Sequence, residues 1–371
     1  MKRVFLYAYD RQNLGDDLFV HTITRRYPDV RFYMWSDRKN RKTYASLPNL
    51  KVIDCDSHFV RFLQKLRPSM VVRYKSWLEK RCDAVVYIGG SIFYEYRHGE
   101  GLPVWWRYMA ESRPLFVMGA NFGPYRTEEY RQQMSAAFSK MQDVCFRDRY
   151  SHQLFSEVAT VRYAPDLLFS YSVPNVPIKA GQLFVSVISC ADKAEGDNTL
   201  TEFRKRYIEN MAGLLQSYIA DGWHIVLASF CEEEGDCRAI REICRAMDIP
   251  ESDGRIEVLA YDGTNSEAVM MRLVESEYVI ASRFHGVILA LAAGRPVFPV
   301  IYSDKTARVL KDMSFGGNWA DLRKAEQISF DDSLHNLGLA FDVADLCTSA
   351  KGHFAALDTH LKKDRKSGDK L

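Results

Sequence analysis

A chain of 371 residues is longer than one ordinary hydrophobic core serves and suits two domains of common size. Nearly half of it is apolar and 26% is charged, a globular composition that leaves no room for wholesale disorder. A formal net charge of +2 lacks the basic excess of a nucleic-acid-binding protein, so nucleic acid is not an expected partner and any anion site must be local.

The first ten residues, Met1 to Asp10, hold an apolar run that is too short for a secretory signal and has no small-residue cleavage site. They read as a strand, Arg3–Tyr9, followed by a helix from Asp16 to Tyr27. Ala84–Ile88, Leu115–Gly119 and Val144–Arg147 are further short apolar runs ended by glycine or a polar turn. This is the pattern of parallel strands buried on both faces and joined by helices. The pattern pauses after Asp166, and the stretch from Ser172 to Gly181, with Pro174 and Pro177, reads as a linker. A second series follows: a strand at Leu183–Ser189, a helix at Leu200–Ala220, a strand at His224–Phe230, a helix at Asp236–Met247 and a strand at Arg255–Ala260. It continues with a helix at Ser266–Ser276, a strand at Tyr278–Ala281, a helix at Val287–Ala293 and a strand at Val297–Tyr302. The apolar stretch Tyr278–Tyr302 is broken by Arg283, His285, Arg295 and two prolines, so it is a buried strand–helix–strand rather than a membrane span.

The expected fold is therefore α/β, with two Rossmann-like doubly wound domains facing a cleft. Residues 1–172 form the first domain, 173–181 the linker and 182–330 the second domain. Residues 331–371 form a helical segment with a flexible tail. Such sheets bind ligands beyond the carboxyl ends of their strands, which directs attention to the residues there. In the second half, Ser282, Arg283 and His285 stand between a strand ending at Ala281 and a helix starting near Gly286. Free helix amides favour an anion, arginine offers a planar fork and histidine can deliver a proton. A structural ion pair for Arg283 is the competing account. In the first half, Arg147 ends a strand, with Asp148 as a helix cap and Ser151 in the first turn behind it; Arg147 is expected to point into the cleft toward Arg283.

Eight cysteines without C-x-x-C or zinc-like spacing read as reduced structural thiols. Asp54-Cys-Asp56 resembles a metal-binding D-x-D, but a strand-end turn accounts for it, and no metal is expected. Tyr94, Tyr96, Trp105 and Trp106 form either a sugar-stacking platform or part of the core.

Taken in order, Asn13-Leu-Gly-Asp16, Ile88-Gly-Gly-Ser91, Gly119-Ala-Asn-Phe-Gly-Pro124, Arg147-Asp148 with Ser151, Ala164-Pro-Asp166, and Ser282-Arg-Phe-His-Gly286 through Ala293-Gly-Arg-Pro296 resemble the polysaccharide pyruvyl transferase family. The resemblance implies a two-domain fold like that of glycosyltransferases of the B architecture. It also implies transfer of pyruvate from phosphoenolpyruvate to two hydroxyls of a sugar as a ketal, in exopolysaccharide or cell-surface glycan synthesis. Phosphoenolpyruvate is then a co-substrate and no cofactor is needed. The acceptor is a sugar, lipid-linked or nucleotide-linked. The implied location is cytoplasmic or at the inner membrane face, where the basic tail after Leu361 offers weak contact. By the same resemblance Arg147, Arg283 and His285 are catalytic, with Phe284 and Ser282 beside the donor. His285 protonates either the methylene carbon or the departing phosphate. Asn13, Gly15 and Asp16 face either ligand, Asp16 as an acceptor base or a helix cap. Gly89, Gly90 and Gly123 allow close backbone approach or positive φ, or simply turn the chain; Gly89, Gly90 and Ser91 are substrate-binding candidates, and Asn121 is an acceptor contact. The family often has glycine where this chain has Gln12, and a third glycine where it has Ser91. A nucleotide-sugar glycosyltransferase and a non-catalytic binding protein on the same fold are the alternatives. The first is disfavoured because Gly294-Arg295 offers no carboxylate for a ribose.

Overall fold

In the computed structural model, residues 1–95, 105–106, 109–110, 113–189, 198–250, 253–324 and 328–362 are described. Tyr96, Cys190 and the tail beyond 362 lie outside them. Two wholly parallel sheets carry the chain. The first has seven strands in the order β3-β2-β1-β4-β5-β6-β7. These are β1 Arg3–Ala8, β2 Arg31–Ser36, β3 Leu50–Asp54, β4 Ala84–Ile88, β5 Leu115–Ala120, β6 Asp143–Phe146 and β7 Val161–Tyr163. The second has six in the order β10-β9-β8-β11-β12-β13: β8 Lys179–Val187, β9 His224–Ser229, β10 Ile256–Ala260, β11 Ser276–Ala281, β12 Val297–Ile301 and β13 Ala320–Asp321. Both sheets reverse their winding next to their first strand, between β1 and β4 and between β8 and β11. The ends of these strands flank the crevice where doubly wound sheets take ligands.

The strands are continuous apolar runs because both faces of each sheet are covered. Every residue of β5 and of β12 is buried, and β4 is nearly so. Beside the first sheet, the rings of Phe122 and Phe138 meet Phe155 edge to face at 4.7 and 4.8 Å, a geometry that adds roughly 0.5–1.5 kcal/mol per pair beyond area burial. Beside the second, Tyr207, Tyr218 and Tyr278 are fully buried. Trp106 belongs to the first core at 1% exposure, which removes it from any sugar-stacking platform. Trp105 stands edge-on to Tyr7 and Tyr87.

The chain separates into two compact units. The first comprises Met1–Asp10, Phe19–Leu167 and the segment from Thr348 onward; the second comprises Arg11–Leu18 and Leu168–Cys347. Three features depart from the expected limits. The segment 11–18, which follows β1, counts with the second unit. β8 begins at Lys179, inside the expected linker, because Lys179 pairs with Ser276 and Gly181, at φ +69°, absorbs the irregular register. The C-terminal helical segment is divided, and its last part packs on the first unit. There the His353 ring is fully buried, accepting from the Gly119 N–H through Nδ1 (3.3 Å) and donating through Nε2 to the Pro165 carbonyl (2.8 Å). Arg162 grips the same segment through the Gly352 and His353 carbonyls at 2.5 and 2.8 Å. Burial first, and the positive Arg162 second, push the His353 pKa down to about 3.

No helix among the described residues is long and apolar enough to cross a membrane, and no cluster of metal-ligating side chains occurs among them. The Asp54-Cys-Asp56 segment is a strand-end turn. Asp54 accepts from the Asp56 N–H at 2.9 Å, and Asp56 pairs with Arg61 at 2.9 Å.

Candidate functional site

The second unit brings together two of the motifs singled out in the sequence. The segment 11–18 is tied to the end of β9, where Leu14 N–H donates to the Phe230 carbonyl (2.9 Å), and Tyr261 Oη donates to Asp17 (2.6 Å). Asn13 caps the helix Leu14–Arg26, its Oδ1 accepting from the Gly15 N–H at 3.1 Å. The cap is therefore Asn13, and Asp16 sits half-buried in the first turn. Gln12 has φ +49°, a left-handed conformation that glycine takes without cost, which explains why glycine suits this position in the family pattern.

Gly15 lies against the His285 ring. A Cβ built on Gly15 would stand 1.8 Å from His285 Nδ1 and 2.3 Å from Cγ, so only glycine leaves room for the imidazole. The helix after β11 runs Phe284–Ala292, two residues longer at its start than the sequence pattern indicates, because Arg283 serves as the N-cap residue. Phe284 and His285 thus occupy the first turn. The His285 ring is half-buried and meets Phe284 edge-on at 5.1 Å. Ser282 is buried and accepts from Tyr207 Oη at 3.0 Å.

Arg283 is held from two sides. Its Nε donates to Asp236 at 3.0 Å, its Nη2 to the other Asp236 oxygen, and its Nη1 to Glu234 at 2.6 Å. Burial alone would lower the guanidinium pKa, but Asp236 and then Glu234 outweigh it and leave it raised. Asp236 is fully buried and also accepts from the Ser189, Phe230 and Cys231 N–H groups at 3.0, 3.0 and 2.9 Å. One carboxylate therefore binds the ends of β8 and β9 to the turn after β11. Sequence reading passed over both acids. Asp236 follows Cys231-Glu-Glu-Glu-Gly235 and looks like an ordinary solvated helix start. With two carboxylates around one guanidinium, the Arg283 charge is compensated in place, and among the described residues its Nε, Nη1 and Nη2 each donate to one of them.

In the first unit the sequence-selected residues also assemble. Arg147, only 3% exposed, donates to Asp166 (3.0 Å) and to Asn121 Oδ1 (2.7 Å), and Ser91 Oγ donates to the same Asn121 oxygen at 3.2 Å. A Cβ on Gly90 would stand 2.5 Å from Arg147 Nη2, so this glycine makes room for the guanidinium. A Cβ on Gly89 would meet only Ile92, at 3.2 Å. Asp148 caps the next helix by accepting from the Ser151 N–H and Oγ at 2.8 Å each, while Ser151 Oγ accepts from the Phe122 N–H at 2.7 Å. Arg149 is exposed and stacks over Tyr163 at 4.7 Å. Each of the two arginines thus has its own carboxylate partners, Arg147 in the first unit and Arg283 in the second.

With this geometry in view, the relatives are informative. The family model for polysaccharide pyruvyl transferase matches residues 13–304, from the Asn13 cap past β12. The amylovoran biosynthesis protein AmsJ of Erwinia amylovora is 21% identical over 254 residues, covering 63% of this chain. The match spans 60% of that curated relative's length. Among solved structures, UDP-GlcNAc 2-epimerase from Neisseria meningitidis superposes with TM-score 0.59 at 9% identity, covering 98% of this chain and all of that one. Anabaena HepE in complex with UDP and glucose gives 0.55 at 11% identity, with 98% of both chains covered. The UDP-GlcNAc 2-epimerase of Methanocaldococcus jannaschii gives 0.52 at 11%, covering 97% and 100%. At these identities the structural likeness speaks for the fold, the two-sheet architecture of the glycosyltransferase B type. The chain belongs to the polysaccharide pyruvyl transferase family.

Proposed function

We propose that this protein transfers pyruvate from phosphoenolpyruvate to two hydroxyls of one sugar during exopolysaccharide or cell-surface glycan synthesis, releasing phosphate. In the first step the methylene carbon gains a proton and a sugar hydroxyl bonds through its oxygen to the adjacent carbon, its own proton replacing the one spent on the methylene. In the second the carbon–phosphate oxygen bond breaks, the second hydroxyl closes the ketal, and its proton leaves with the phosphate. The observation that carries the reading is the His285 ring. It is half-buried at the first turn of a helix, seated on Gly15, and held there by a turn that Asp236 and Arg283 fix. A positioned imidazole of this kind is suited to general acid work, worth about 10²–10⁴ in rate.

This reading gives each residue a role. His285 protonates the methylene carbon or the leaving phosphate. Arg283 holds the turn and its guanidinium charge faces the donor, with Ser282 and the Phe284 backbone beside it. Asn13, Gly15 and Asp16 line the same side. In the first unit Arg147, Asn121, Ser91 and the Gly89-Gly90 turn form the cluster assigned to substrate contact. No cofactor enters this scheme.

The experiment is incubation of the purified protein with phosphoenolpyruvate and a panel of free, nucleotide-linked and lipid-linked sugars. Phosphate release is followed together with formation of an acid-labile, carboxylate-bearing ketal. Acceptor-dependent release that falls at least about 10²-fold in His285→Ala supports the reading. Turnover near normal in that variant removes His285 from the mechanism, and transfer from a nucleotide sugar alone replaces it with a glycosyltransferase.

A further inference from the structure

Nine large apolar side chains are markedly exposed among the described residues, and five of them lie between positions 59 and 77. Phe59, Phe62, Leu66, Val72 and Trp77 are each 47–61% exposed. They stand on a helical hairpin, His58–Leu66 and Pro68–Glu79. The spacing of Phe59, Phe62 and Leu66 puts them on one face of the first helix, while Val60 and Leu63 are buried. The apolar surface continues onto the second helix, for Phe59 meets Tyr74 edge-on at 5.3 Å and Tyr74 stacks on Trp77 at 5.9 Å. Isolated exposed apolar residues need no explanation, but a contiguous set marks an interaction surface.

Charge decides what the surface fits. Residues 57–78 contain no Asp or Glu. Glu79 is buried against Tyr7, and Asp56 is paired with Arg61. Lys65, Arg67, Arg73, Lys80 and Arg81 are exposed around the apolar residues, and Arg81 lies over the Trp77 ring at 3.8 Å. Two copies of such a hairpin would repel each other. An anionic lipid surface satisfies both features, since apolar and aromatic side chains enter the headgroup boundary while nearby Lys and Arg are drawn to its negative charge.

We propose that the hairpin 58–81 docks this protein on an anionic bilayer surface. The docking holds whatever the donor is, and it would present the enzyme to an acceptor carried on a lipid. The test is cosedimentation of the full chain with vesicles of mixed phosphatidylcholine and phosphatidylglycerol, and with phosphatidylcholine alone. Binding at least about tenfold stronger to the anionic vesicles, weakened by salt, is expected. Lys65→Glu/Arg67→Glu and Phe62→Ser/Leu66→Ser should each lower it by about tenfold or more with unchanged melting temperatures, while Trp319→Ser, remote in sequence, leaves it unaltered. Equal binding to both vesicle types, no binding, or hairpin variants that bind like the parent would overturn the proposal. So would sedimentation equilibrium showing that the hairpin variants dissolve an oligomer, since the occupant is then a second copy.

Discussion

Replacing Gly15 by alanine tests the seating of His285 with a single methyl group. The new Cβ would lie 1.8 Å from Nδ1, whereas ordinary contact begins at 3.4 Å, so the ring must retreat by about 1.6 Å or swing to another rotamer. Overpacking of this kind costs roughly 1–3 kcal/mol. A displacement above about 1 Å at a reacting group can cost about 10²-fold in rate. Thermal unfolding should show Gly15→Ala melting at least about 2 °C lower than the parent, and turnover with phosphoenolpyruvate should fall about 10²-fold. The decisive arm is a double-mutant cycle. In a His285→Ala background the methyl group meets no ring, so Gly15→Ala should add little further loss in either readout. Additive losses in the two backgrounds would refute the contact as the cause.

Three further outcomes follow from titratable groups. Asp236→Ala removes one partner of a buried ion pair and strips the acceptor from three backbone N–H groups; it should cost about 3–5 kcal/mol in denaturant unfolding, and a loss under about 1 kcal/mol would contradict the clamp. His353 has its pKa pushed down to about 3 from 6.5, so the unfolded chain takes up the proton first. Its contribution is complete above pH ~6.5 and fades as the pH falls toward about 3, costing about 2 kcal/mol between pH ~7 and ~5. His353→Gln should flatten the pH dependence of stability by that amount, and an unchanged slope would count against the buried neutral ring. Glu234, 30% exposed at its side chain, competes with any anion for Arg283. Glu234→Gln should tighten phosphoenolpyruvate binding about fivefold by calorimetry, the worth of a partly exposed pair near 1 kcal/mol, and weaker binding would show that Glu234 supports the site instead.

The sheets were legible because their strands are buried on both faces, so Ala84–Ile88 and Leu115–Ala120 stand out as apolar runs without any local rival pattern. The motif residues were legible too, but their reasons were not. Gly15 suggested a ligand contact, and Gly90 a turn or close ligand approach. The structure gives another reason, space for His285 and for Arg147, which depends on neighbours 270 and 57 positions away. Asp236 escaped notice for a similar cause: its partner Arg283 lies 47 residues on, brought near by parallel strand pairing that no local spacing encodes. A structural ion pair for Arg283 was one of the accounts the sequence offered, but which acids pair with the two arginines was not legible. A helical C-terminal segment was expected, yet that expectation names no partner, and the buried His353 and the Arg162 grip tie its last part to the first unit.

The central claim is that the donor is phosphoenolpyruvate, and thermal stabilisation of the purified protein tests it most directly. A ligand at 100 times its dissociation constant adds roughly 2.7 kcal/mol, which a melting curve resolves. The account predicts stabilisation by phosphoenolpyruvate, absent with UDP-sugars and lost in Arg283→Ala. Stabilisation by a UDP-sugar without any response to phosphoenolpyruvate would contradict it.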